Sequence, residues 1–60
     1  MYKVAYLDNG KLVETPNLTL SKAIFLAESY SEKYGYSVMY EVNKNFNFWF
    51  KEGRAIDETH

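Results

Sequence analysis

The sequence predicts a two-layer α+β domain, with four strands and one helix in the order ββαββ. Three features carry that expectation: an Asn9-Gly10 pair between two alternating segments, a helical apolar stripe bounded by Thr19 and Gly35, and a second alternating pair dense in aromatic residues. The helix is expected on one face of a four-stranded antiparallel sheet, which gives a chain of 60 residues one core. So short a chain buries only about 60% of the surface it exposes on unfolding, which leaves room for a single domain.

Residues 1–15 read as a β-hairpin. Asn9 and Gly10 both tolerate the positive φ of a type I′ turn. A two-residue loop sets Asp8 opposite Lys11, Leu7 opposite Leu12, Tyr6 opposite Val13 and Val4 opposite Thr15. One face then carries Tyr2, Val4, Tyr6 and Val13, and the other carries Lys3, Ala5, Leu7, Leu12 and Glu14. Pro16 lacks the N–H that a ladder needs and is expected to end the strand.

Thr19 is placed to cap a helix over residues 19–34, with Gly35 supplying the position just past its end. Leu20, Ala23, Ile24, Ala27, Tyr30, Ser31 and Tyr34 follow the spacing of one buried face. Leu26 lies on its border. Phe25 falls on the polar arc between Lys22 and Ser29.

Residues 36–51 read as a second hairpin. Tyr36, Val38, Tyr40 and Val42 alternate with Ser37, Met39 and Glu41, and Phe46, Phe48 and Phe50 alternate with Asn47 and Trp49. A three-residue loop over 43–45, with Asn45 left-handed, pairs Val42 with Phe46, Tyr40 with Phe48 and Val38 with Phe50. That register gathers seven large apolar residues on one face and is therefore expected. Residues 52–60 read as a polar tail, and strand order is left open.

Chemistry is sparse. The chain has no cysteine and one histidine, the terminal His60, so thiolate ligands, a triad and a multi-histidine metal site are excluded. Glu28 with Glu32, and Asp57 with Glu58, read as a solvated helix face and a charged tail. Thr19, Ser29, Ser31 and Ser37 have no accompanying base, and Gly10, Gly35 and Gly53 are too scattered to cradle a phosphate. No enzyme and no cofactor is expected. No apolar run reaches the roughly 20 residues of a membrane span, and no leader opens the chain, so a reducing cytoplasm is the expected location. Seven basic against eight acidic residues are mixed along the chain, which argues against phosphate-driven binding.

What is left over is apolar. Trp49, Met39, Leu7 and Leu12 are expected on the sheet face away from the helix, with Phe25 exposed on the helix as a second contact. Trp is enriched at interface hot spots, and a bare apolar sheet face usually touches something. The sequence thus points to a protein-binding module that works by covering a surface of another protein, as an inhibitor, adaptor or regulator, with homodimer formation through the sheet. The wealth of Asn, Lys, Tyr and Phe suits an A/T-rich genome, and a phage accessory protein that disables a host factor fits that setting. The alternative is a single-stranded nucleic-acid binder using aromatic stacking, for which Lys3, Lys51, Arg54 and Trp49 are the residues required.

Overall fold

The computed structural model describes residues 1–43 and 47–56, and its elements follow the expected order with one addition. The strands β1 (Tyr2–Asp8) and β2 (Lys11–Leu18) precede the helix α1 (Leu20–Tyr34), and β3 (Tyr36–Glu41), β4 (Asn47–Lys51) and β5 (Arg54–Ile56) follow it. They form one antiparallel sheet in the order β2-β1-β3-β4-β5, with α1 on one face.

The first hairpin has the expected register. Asn9 (φ 53°) and Gly10 (φ 81°) both take positive φ, and Asp8, Leu7, Tyr6 and Val4 stand opposite Lys11, Leu12, Val13 and Thr15. Pro16 does not end the strand. β2 lies at the sheet edge, where a missing donor that faces solvent is tolerated. A bulge with Asn17 at φ 62° then re-aligns the strand, so that Leu18 pairs with Tyr2 and is buried.

The Thr19 hydroxyl accepts from the Lys22 N–H at 3.3 Å, and the Gly35 N–H donates to the Ser31 carbonyl at 2.8 Å, closing α1 at both expected ends. Its buried face is narrower than the stripe suggests. Ala23, Ala27 and Ser31 are buried and Leu26 and Tyr30 pack beside them, but Leu20 and Ile24 are exposed. Tyr6 stacks against Tyr30 and Tyr34, with ring centroids 4.3 and 4.4 Å away, and seals the β1 side of the helix.

The second hairpin departs from the expected register by one residue. Tyr40 faces Asn47, Met39 faces Phe48, Val38 faces Trp49 and Ser37 faces Phe50. The expected Val42–Phe46 pair and a left-handed Asn45 involve residues outside the described ones. The physical reason is the gap beneath the helix. Ala23 and Ala27 bring α1 close to the sheet, and the Ser37 hydroxyl donates to the Ala27 carbonyl at 2.6 Å. A small Ser37 fits there, whereas a row of Tyr36, Val38 and Tyr40 would not. A one-residue slip exchanges every side chain between faces. The core is therefore Val4, Leu18, Ala23, Ala27, Met39 and Phe50, with Tyr2, Leu26 and Tyr30 against it.

The expected polar tail is corrected as well, since Arg54–Ile56 adds a fifth strand. Glu52 (φ 52°) and Gly53 (φ 85°) form a two-residue turn, which sets Lys51 opposite Arg54, Phe50 opposite Ala55 and Trp49 opposite Ile56. The turn is tied to the helix end. The Gly53 N–H donates to Ser31 Oγ at 2.8 Å and the Glu52 N–H to the Gly35 carbonyl at 3.0 Å. The φ of 85° at Gly53 favours glycine, whereas the nearest atom a Cβ would meet is the flexible end of Glu32, Oε2 at 3.1 Å.

The observed register separates the two phenylalanines of β4, because Phe50 is 3% exposed and Phe48 37%. Phe50→Ala should cost about 3–5 kcal/mol, enough to unfold a domain this small, and Phe48→Ala clearly less. Urea unfolding of the two variants checks this. Equal losses would contradict the register.

Candidate contact face

Residues directly opposite each other on neighbouring strands share a face, so the registers define the surface away from α1. One row crosses all five strands as Glu14, Ala5, Val38, Trp49 and Ile56, and the next as Leu12, Leu7, Tyr36, Lys51 and Arg54. Leu7 (59%), Leu12 (64%), Tyr36 (52%) and Trp49 (38%) are exposed, with Val38 and Ile56 half-buried between and beside them. Ala5, Leu7, Leu12, Tyr36, Val38 and Trp49 line a hollow of about 280 Å³ that reaches the edge near Tyr34. That is just below the roughly 300–1,000 Å³ of small-molecule pockets.

Three of the four residues expected on this face are there together: Trp49, Leu7 and Leu12. Met39 is not. It is 3% exposed, packs in the core, and floors a groove on the helix side lined also by Leu20, Ile24 and Phe48. The register slip that buries Met39 turns Tyr36, Val38 and Tyr40, expected in the core, to the open face, where Tyr36 is exposed and the other two are half-buried. Ile56 was missed because its strand was read as tail; the signal was Gly53 two residues past an alternating segment. Phe25 is 63% exposed on the helix, as its position on the polar arc implies.

A polar cluster closes one corner of the face. The Tyr40 hydroxyl donates to Glu14 Oε2 at 2.6 Å, Lys3 Nζ lies 3.8 Å from the same oxygen and 5.5 Å from the Tyr40 ring centroid. The bond to Glu14 and burial together push the Tyr40 hydroxyl up to about 12. At the diagonal corner Lys51 Nζ stands 5.5 Å from the Tyr36 ring centroid, next to Arg54.

Three of the four hydroxyls flagged by sequence serve the fold. Thr19 caps α1, Ser37 binds the Ala27 carbonyl, and Ser31 donates to the Glu28 carbonyl while accepting from Gly53. Among the described residues no three His, Cys, Asp or Glu side chains are grouped to hold a metal ion, and no helix is long and apolar enough to cross a membrane. Asp57, Glu58 and His60 lie outside the described residues.

The chain matches no family model. No curated protein and no solved structure is significantly similar to it. Fold and surface are therefore the only grounds for a functional reading.

Two outcomes test this geometry. Met39→Lys should unfold the domain, because it places an unpaired charge in the core, whereas Leu7→Lys should change stability by no more than about 0.5 kcal/mol. Far-UV circular dichroism under increasing urea separates them. Tyr40 should titrate well above the ordinary tyrosine value of 10 when absorbance near 295 nm is followed with pH. Its folded pKa lies above the ordinary 10, so the stability it contributes is complete below pH 10 and is lost as pH rises towards about 12. Tyr40→Phe should remove that loss.

Proposed function

We propose that this chain is a non-enzymatic binding module that acts by covering a surface of another protein, as an inhibitor, adaptor or regulator, through the sheet face opposite the helix. The observation that carries this reading is the cross-strand alignment of Leu7, Leu12, Tyr36, Val38 and Trp49 on one exposed face. Burying a large apolar side chain contributes on the order of 1.5–3 kcal/mol, part of which offsets the entropy lost on association. The layout also has the anatomy of a contact surface, with an apolar centre and a charged rim at Lys3, Glu14, Lys51 and Arg54. A chain without cysteines suits a reducing cytoplasm, where a phage accessory protein that occupies a host factor would work.

A second reading draws on a specific feature. Tyr36, Tyr40 and Trp49 share the open face with Lys3, Lys51 and Arg54, the combination a single-stranded nucleic-acid platform would use. Protein contact is favoured because Lys3 is held by Glu14, the Tyr36 ring is covered by Lys51, and the centre of the face is aliphatic.

The test compares wild type with Leu7→Lys in affinity capture from host lysate, with mass spectrometry of the bound proteins. A partner held by wild type should be lost by the folded variant, since a charge desolvated at an interface is costly but harmless in water. Retention of the same partner would overturn the reading. Loss of captured material to nuclease or moderate salt would favour nucleic acid instead.

A further inference from the structure

We infer that the partner seated on the open sheet face is an acidic protein segment, with carboxylates meeting Lys51 and Arg54 beside an apolar side chain that enters the hollow between Leu7, Leu12, Tyr36 and Trp49. This rests on the reading of that face as a protein contact surface and adds the chemistry of what it meets.

Charge placement carries the inference. By strand alternation the open face holds, among the described residues, Lys3, Lys51 and Arg54 against a single carboxylate, Glu14, although the chain as a whole has net charge -1. Glu14 and Lys3 already satisfy each other with Tyr40. Lys51 and Arg54 do not. They stand directly opposite one another across the β4–β5 turn, an arrangement that destabilises a sheet when the charges are alike. Among the described residues no ion pair joins either of them to a carboxylate, Glu52 in the intervening turn included. Lys51 gains the Tyr36 ring beneath it, but neither charge of the pair is neutralised there. An anion that approaches the apolar face would relieve it, and the electrostatic complementarity would steer and orient the encounter.

The same placement argues against a second copy as the occupant. A twofold axis along the strands lays β2 over β5 and sets Arg54 against Leu12. An axis across the strands brings the Lys51 row over Lys3 and Asn47. Neither sets a carboxylate directly against Lys51 or Arg54, and Glu14, the one carboxylate on this face among the described residues, is already held by Lys3 and Tyr40.

Selection from a random displayed peptide library against the immobilised full chain tests the inference, run in parallel on wild type, Lys51→Glu/Arg54→Glu and Leu7→Lys. Wild type should enrich peptides with Asp or Glu next to a large apolar residue. The doubly reversed variant should bind these at least about tenfold more weakly and enrich Lys or Arg in their place. Leu7→Lys should retain neither set. Should the double reversal disturb the hairpin, Arg54→Gln alone must still weaken the acidic peptides and increase their salt sensitivity.

Peptides lost with Leu7→Lys but showing no acidic bias would overturn this inference and leave the contact face standing. Peptides indifferent to Leu7→Lys, or none at all, would overturn the contact face and the inference with it. A dimer in sedimentation that Leu7→Lys dissolves would give the face to a second copy. Binding of an oligothymidylate with steep salt dependence would give it to nucleic acid. Either result overturns the inference.

Discussion

The close seat of the helix on the sheet is the constraint from which the remaining structure follows. Ala23 and Ala27 are fully buried, and the Ser37 hydroxyl reaches the Ala27 carbonyl at 2.6 Å, so at this point of the seam between α1 and β3 only a small side chain fits. Ser37 must then point inward. Because faces alternate along a strand, Met39 follows it into the core while Tyr36, Val38 and Tyr40 turn outward. The pairing of β3 with β1 repeats the decision, since Val4 opposite Met39 and Tyr6 opposite Ser37 put all four on the helix side. A tight seam on one face thus produces an aromatic and aliphatic surface on the other.

What the sequence disclosed depends on how firmly each turn is specified. Asn9-Gly10 admits one loop length, and every pair next to the turn, from Asp8–Lys11 to Val4–Thr15, stands as the alternation implies. Thr19 and Gly35 bound the helix for a similar reason, because each has a definite hydrogen-bonding or conformational task. Residues 43–45 offer several loop lengths. The choice between them then rested on counting large apolar residues on one face, which ignores the volume available under an alanine-faced helix. Met39 was misplaced by that count, and Tyr36 and Val38 were missed as members of the open face. Leu7, Leu12 and Trp49 were legible because their faces do not depend on the disputed loop alone: the first two are fixed by the Asn-Gly turn, and Trp49 lies opposite Phe48 and Phe50 in either register.

The fifth strand shows a different limit. Arg54–Ile56 contains one large apolar residue, too little for an alternation to be recognised. Its strand is formed by tertiary anchoring instead. Ser31, buried in the middle of the last helical turns, accepts from the Gly53 N–H, and the Gly35 carbonyl accepts from Glu52. A buried serine on an otherwise apolar stripe was therefore a sign that something polar had to meet it there.

The edges of the sheet explain why association should use its face. β2 presents Pro16, which cannot donate, and a bulge with Asn17 at positive φ, while β5 spans three residues among the described ones. Both devices discourage the addition of a further strand. The domain measures 28 × 27 × 19 Å, so the open side of the sheet is broad relative to the depth of the fold. On the proposed reading the apolar centre of that side would supply the attraction and the Lys51–Arg54 corner, which no ion pair neutralises among the described residues, the orientation, while the helix side supplies the core.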